Sequence, residues 1–136
     1  MRGAVHHIDL SVRDLAQSDA FYDKVLAFLG YRRSRGDATG IDWDRHASGD
    51  LLCSIGLKPA RSARIHDRYS AGLHHLAWHA ESRDDVDRLY ALLLDMGALI
   101  LDAPADYPAY GAGYYALFFA DPDGLKLEFV HWPRSG

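Results

Sequence analysis

Residues 6–26 of this 136-residue chain read HHIDLSVRDLAQSDAFYDKVL. Apolar and polar side chains alternate at the start of this stretch, which predicts a strand over residues 5–12 with a core face and a polar face that carries His7. Asp14 is a suitable helix N-cap, and apolar residues then recur at helical spacing as far as Gly30. The stretch therefore predicts a strand followed by an amphipathic helix.

The same pattern returns half a chain length later. Residues 72–78 read GLHHLAW, and His75 stands 68 positions after His7. A second amphipathic segment follows, with Ser82 as its predicted N-cap. Each predicted helix precedes three strand-like segments, at 31–34, 40–46 and 50–57, and again at 98–101, 114–120 and 125–131. The sequence therefore predicts the α+β class, with one domain over 1–136 built from two tandem βαβββ modules, 1–68 and 69–136.

Composition narrows the function classes. The formal net charge is -4 and the pI about 6.0, so no global positive field favours nucleic acid as a partner. No apolar run approaches the ~20 residues of a membrane span, so no membrane association is expected. The chain has one cysteine, Cys53, and its first residues lack the pattern of a signal peptide, which predicts a cytoplasmic location.

Three side chains stand where chemistry is expected. His7 and His75 occupy equivalent positions on the polar faces of the first strand of each module. In the last strand apolar and other residues alternate, so Glu128 also falls on the polar face. Two imidazoles and one carboxylate suit a divalent metal with open positions for a substrate, but spacing alone is equally compatible with unrelated surface side chains.

Three motifs carry a family resemblance. HHIDLSVRDL with the following F-Y-x3-L, GLHHLAW, and FFADPDGLKLEF at residues 118–129 resemble the vicinal oxygen chelate superfamily, which includes glyoxalase I, methylmalonyl-CoA epimerase, fosfomycin resistance proteins and extradiol dioxygenases. The resemblance implies paired βαβββ modules that form a curved mixed sheet cup with helices on its outer face. It also implies a divalent metal ion (Fe, Mn, Ni or Zn) held by His7, His75 and Glu128, in a cup formed within one chain or between the subunits of a homodimer.

The superfamily often has a fourth ligand on the last strand of the first module. Aligning residues 50–55 with residues 124–129 puts Ser54 opposite Glu128. Because a neutral hydroxyl is a poor ligand beside imidazole and carboxylate, we expect a three-ligand site, with Ser54 in contact with the substrate.

Other side chains are candidates for the substrate and for proton transfer. His79 shares a strand face with His75 and is a candidate acid or base, although a solvated or packed histidine is the alternative. The stretch 102–115 is rich in tyrosine and is expected to fold over the cup. We expect Tyr115 or Tyr110 nearest the metal, with Tyr115 catalytic and Tyr107 and Tyr110 contacting the substrate; rings packed under the sheet edge are the alternative.

The function expected from these features is a metal-dependent enzyme of the glyoxalase-like, dioxygenase-like group. Its reaction would be that of a lyase, a dioxygenase or a thiol transferase. Its substrate would be a small oxygen-bearing metabolite or xenobiotic that chelates the metal through two oxygens. The alternative is a binding protein that sequesters a small molecule without catalysis, as bleomycin resistance proteins do.

Overall fold

The computed structural model describes residues 1–133, which divide into two compact units. The first is Met1–Arg64 and the second begins at Ile65, so the boundary lies slightly before the predicted one at residue 68. The last three positions of the predicted second module lie outside the described residues. Each unit contains a strand, a helix and three further strands, which confirms the α+β class and the two tandem modules.

The first unit contains a mixed four-stranded sheet in the order β1-β4-β3-β2. β1 runs parallel to β4, and the other neighbours are antiparallel. Its elements are β1 (His7–Val12), α1 (Leu15–Phe28), β2 (Arg32–Asp37), β3 (Gly40–Ala47) and β4 (Asp50–Pro59). The first and last strands of the module are therefore neighbours, which places residues of both on one polar face.

The second unit repeats this connectivity, with the strand order β5-β8-β7-β6. Its elements are β5 (His75–His79), α2 (Arg83–Asp95), β6 (Leu99–Asp106), β7 (Tyr115–Ala120) and β8 (Lys126–His131). β6 extends beyond the predicted end at residue 101. Two register shifts, between Ile100 and Asp102 and between Asp102 and Ala105, break the alternation that sequence reasoning relies on, while pairing with β7 continues.

Both helices begin at the predicted caps. The Asp14 carboxylate accepts the Gln17 backbone N–H at 3.1 Å, and the Ser82 hydroxyl oxygen accepts the Asp85 N–H at 3.0 Å. These bonds satisfy N–H groups that have no partner inside the helix, so the two caps set where each helix starts.

Each helix covers one face of the sheet in its own unit. α1 packs against β2, β3 and β4, where Tyr22, Leu26 and Trp43 are fully buried. α2 packs against β6, β7 and β8 over Leu89 and Phe119. The opposite face of each sheet carries the polar residues of the first and last strands. Among residues 1–133, no helix is long and apolar enough to cross a bilayer.

Candidate metal centre

The second unit brings two of the predicted ligands together. β5 and β8 are parallel neighbours, and their register pairs Ala77 with Glu128. Oε1 of Glu128 lies 3.1 Å from Nε2 of His75. The Glu128 side chain is only 4% exposed, whereas His75 is 36% exposed. A buried carboxylate thus faces an accessible imidazole nitrogen.

Tyr114 holds the other carboxylate oxygen of Glu128. Its hydroxyl donates a short hydrogen bond to Oε2. Burial and the bonded carboxylate raise the pKa of Tyr114 well above its usual range, so the phenol keeps the proton that it donates. With Oε2 bonded to Tyr114, Oε1 is the oxygen that faces His75.

Each predicted histidine ligand contacts the histidine that precedes it. Nδ1 of His75 lies 2.7 Å from Nδ1 of His74, and Nδ1 of His7 lies 3.0 Å from Nδ1 of His6. Desolvation, followed by electrostatic interaction with neighbours that include Lys126 and Arg68, lowers the pKa of His74, which favours the neutral ring that such a contact needs. A metal-binding histidine commonly bonds a partner through its second nitrogen, and here each module has such a partner. The His-His doublets were the sequence signal for this role, which sequence reasoning left unassigned.

His7 lies at a polar pocket of about 300 Å³ in the first unit. Asp9 and Ser54 also line this pocket, and Nε2 of His7 is 3.9 Å from Oδ2 of Asp9. The Ser54 hydroxyl donates to Oδ1 of Asp44 at 2.6 Å. Ser54 is therefore placed beside His7, as a substrate-contacting residue would be, and its role stays a prediction.

Strand register corrects the predicted equivalence of Ser54 and Glu128. β4 pairs Ser54 with His7, whereas in the second unit Lys126 is paired with His75. The residue two positions further along β4, Gly56, is the counterpart of Glu128. A slip of two residues keeps every side chain on the same face, so the alternation pattern alone does not reveal it. Glycine has no ligating side chain, so the conclusion that this position of β4 supplies no ligand still holds.

An aromatic group, here called the tyrosine cluster, surrounds Tyr114. Its members are Tyr107, Tyr110, Tyr114, Phe118 and Trp132. Tyr107 and Tyr110 stack with ring centroids 5.5 Å apart, and the Tyr107 N–H donates to the Tyr114 carbonyl at 2.8 Å, which closes the loop. The predicted substrate-contacting residues Tyr107 and Tyr110 thus pack against Tyr114, whose hydroxyl is bonded to Glu128, and Tyr110 remains 60% exposed.

Tyr115 does not take the place beside Glu128. Its hydroxyl donates to Oδ1 of Asp87 on α2 at 2.6 Å, and the Arg83 guanidinium lies 3.9 Å from its ring centroid. Successive residues point to opposite faces, so Tyr115 contacts the helix while Tyr114 reaches the polar face. The sequence predicted Tyr115 or Tyr110 nearest the metal, whereas the tyrosine bonded to Glu128 is Tyr114. The catalytic role of Tyr115 stays a prediction.

His79 also lies away from the His75–Glu128 pair. It lies at the end of β5, four residues after His75, which is ~13 Å along a strand. Its register partner is Val130, beyond Glu128. The structure of the second unit does not bring His79 to the His75–Glu128 pair, and its proposed acid-base role stays a prediction.

The geometry of the pair fits a metal. Two ligands bound to one ion at ~2.1 Å are ~3.0 to 3.4 Å apart at octahedral or tetrahedral angles, and the His75–Glu128 separation of 3.1 Å lies in that range. Within neither unit do three or more His, Cys, Asp or Glu side chains of residues 1–133 form a group that could hold a metal ion. The second unit brings together a pair of candidate ligands, and the metal-binding roles of His75, Glu128 and His7 remain predictions.

Comparisons with known proteins identify the class. The profile of the Glyoxalase/Bleomycin resistance protein/Dioxygenase superfamily matches residues 4–129. The chain belongs to this superfamily.

Individual relatives agree with this membership. The uncharacterized protein YqjT of Bacillus subtilis is 36% identical over 126 residues, which cover 93% of this chain and 97% of that protein. The metallothiol transferase FosB of Lysinibacillus sphaericus is 28% identical over 93% of this chain and 80% of its own length. The crystal structure of a glyoxalase candidate from Bacillus halodurans superimposes with a TM-score of 0.83 at 32% identity, covering 96% of this chain and 97% of that one.

Tyr114→Phe is expected to weaken metal binding without unfolding the protein. The substitution keeps the ring in the tyrosine cluster and removes the hydrogen bond to Oε2, so Glu128 loses the group that fixes its orientation. Loss of such a supporting bond typically costs about 10- to 100-fold in metal affinity. Isothermal titration with Zn²⁺ measures the effect. Tyr110→Phe is the matched control, and equal losses in both variants would contradict this role of Tyr114.

Proposed function

We propose that this protein is a divalent-metal-dependent enzyme of the glyoxalase group. His7, His75 and Glu128 are its metal ligands, and the ion is Fe, Mn, Ni or Zn. The substrate is a small oxygen-bearing metabolite or xenobiotic that binds the ion through two oxygens. When bound, the ion supplies Lewis-acid stabilisation of the negative charge that develops on a substrate oxygen.

The observation that carries this proposal is the His75–Glu128 pair. Burying a carboxylate costs free energy unless it is well compensated, and replacing a buried ion pair by apolar residues is often neutral or stabilising. Here the carboxylate is buried, one oxygen is bonded to Tyr114, and the other is at ligand spacing from an accessible imidazole. Such an arrangement is typical of a site that binds a cation.

The chain's own residues have separate tasks in this proposal. Tyr114 orients Glu128, and His74 and His6 orient the rings of His75 and His7. The exposed ring of Tyr110 offers an aromatic surface to a substrate bound beside Glu128. The relative named a metallothiol transferase supports thiol transfer as one of the reaction types to be tested. A homodimer in the cytoplasm remains part of the proposal.

The test is metal binding by the full chain purified without chelator. We expect about one divalent ion per chain from elemental analysis, and loss of that ion in His75→Ala. His66→Ala, which changes a histidine in the exposed connector, is the matched control and should retain the ion. Failure of the unmodified chain to bind Fe, Mn, Ni or Zn would overturn the proposal and favour the binding protein without catalysis.

The substrate is then sought with the metal-loaded protein. Methylglyoxal hemithioacetals, catechols, and fosfomycin with added thiol represent the lyase, dioxygenase and thiol transferase reactions. Turnover that disappears in His75→Ala assigns the reaction type, because the same metal site would serve each of them.

A further inference from the structure

The two modules differ at one pair of facing strand positions. In the second unit, the pair consists of Ala77 on the first strand and Glu128 on the last. In the first unit, the equivalent pair consists of Asp9 on the first strand and Gly56 on the last. Each pair therefore contains one carboxylate and one small residue, but the carboxylate lies on the last strand in the second unit and on the first strand in the first unit.

The space above Gly56 is filled by the carboxylates of Asp9 and Asp42. A Cβ atom placed on Gly56 would overlap Oδ1 of Asp9 and would lie 2.6 Å from Oδ1 of Asp42. No side chain fits there while Asp9 keeps this position. The carboxylate of Asp9 therefore occupies the volume in which a carboxylate side chain from β4 would begin.

We propose that Asp9 is a fourth metal ligand, which supplies from β1 the carboxylate that β4 lacks. The inference rests on the proposed function, because it assumes that His7 binds the metal. In each module, a histidine of the first strand would then act together with a carboxylate on the same polar face. The pair His7–Asp9 in the first unit corresponds to His75–Glu128 in the second.

The distances allow this assignment. Nε2 of His7 and Oδ2 of Asp9 are 3.9 Å apart, which exceeds the ~3.0 to 3.4 Å of two ligands on one ion by less than 1 Å. The Asp9 side chain is 39% exposed, so a small rotation can close the difference without displacing the core.

Asp42 and Asp44 are the competing carboxylates in this pocket, and the contacts of both argue against them. Oδ1 of Asp44 accepts the hydrogen bond of the Ser54 hydroxyl. Oδ2 of Asp42 accepts a hydrogen bond from Nε of Arg35 at 2.9 Å, which ties Asp42 to the β2 side of the sheet. Asp42 lies on β3, so it is one strand further from His7 than Gly56 is. Asp9 is on the same strand as His7 and shares its face, two residues away.

A fourth ligand changes the electrostatics and the ion preference of the site. Two carboxylates balance the charge of a divalent ion, so the metal-loaded site would be neutral before substrate binds. A set of two imidazoles and two carboxylates suits ions that accept mixed nitrogen and oxygen ligands, such as Mn²⁺, Fe²⁺, Ni²⁺ and Zn²⁺.

The experiment compares metal binding by three variants of the full chain, with Mn²⁺ and Zn²⁺ alone as probes in isothermal titration. Asp9→Asn is isosteric and should weaken binding about 10- to 100-fold. Asp42→Asn removes the neighbouring charge and should change affinity by less than about 3-fold. In the double variant Asp9→Ala with Gly56→Glu, the Asp42 side chain must rotate away from the new Cβ atom. The variant then rebuilds the Ala77–Glu128 arrangement in the first unit and should regain the affinity lost in Asp9→Asn.

Each outcome decides the assignment. Wild-type affinity in Asp9→Asn, or equal losses in Asp9→Asn and Asp42→Asn, overturns the role of Asp9 and leaves the proposed function standing. A double variant that folds but regains no metal affinity overturns the equivalence of the Asp9–Gly56 and Ala77–Glu128 pairs. If the double variant does not fold, the comparison of Asp9→Asn with Asp42→Asn decides the assignment. A wild-type chain that binds neither ion overturns the proposed function together with this inference.

Discussion

Glu128→Gln is expected to lose the thermal stabilisation that a divalent metal gives the unmodified protein. At a free metal concentration of 100 times Kd, binding stabilises the native state by ~2.7 kcal/mol. If the loss of the charged ligand weakens affinity about 100-fold, the same metal concentration stabilises the variant by only ~0.4 kcal/mol. The difference corresponds to a change in Tm on the order of 10 °C for a chain of this size.

The metal-free stability of the same variant separates a lost ligand from a damaged fold. Glutamine has the shape of glutamate and retains an oxygen for the Tyr114 hydroxyl, while the desolvation cost of the buried carboxylate disappears. We therefore expect the Tm without metal to be unchanged or higher. Glu81→Gln, at the chain's other glutamate, which is exposed, should keep the full metal-induced shift. A full shift in Glu128→Gln would remove Glu128 from the ligand set.

Trp43→Ala should produce a large loss of folding stability in the first unit. The Trp43 side chain is 1% exposed, and its indole N–H donates to Oδ1 of Asp23 on α1 at 3.0 Å. The Arg33 guanidinium also lies 5.1 Å from its ring centroid. Truncation leaves a large cavity between β3 and α1, which typically costs ~3 to 5 kcal/mol, a large part of the ~5 to 15 kcal/mol that stabilises a domain.

Urea unfolding followed by circular dichroism measures this loss. Trp43→Phe serves as the control, since it keeps much of the apolar volume and removes the hydrogen bond to Asp23. It should lose less than half as much stability as Trp43→Ala. Similar losses in both variants would mean that the hydrogen bond, and not the packing of the ring, carries the contribution of Trp43.

The sequence predicted the starts of the helices well, because a helix start depends on residues that are close together in the chain. Asp14 and Ser82 mark the two helix starts because a cap acts on N–H groups two or three residues away. The end of β6 was not predictable in this way, since that strand continues through its irregular positions only because β7 pairs with it. Pairing between strands depends on residues that are distant in the chain.

The candidate site was likewise predicted from the sequence only in part. Sequence and resemblance selected His75 and Glu128, and the structure of the second unit confirms that their side chains meet. They did not select Tyr114, because alternation alone does not tell which of two adjacent tyrosines faces Glu128. They also matched Ser54 with Glu128, because a slip of two residues preserves the strand face.

By itself, the sequence determined that the chain is a repeat of two βαβββ modules, and which residue types stand on the polar faces of their strands. These properties follow from periodicity and from motifs that are contiguous in the chain. Only the tertiary structure decided the register of β4 against β1, and with it the pairing of Asp9 with Gly56. Register depends on hydrogen bonds between strands that are about 40 or more residues apart in the chain. A local pattern of alternation is unchanged when one strand slips by two residues, so it does not determine this alignment.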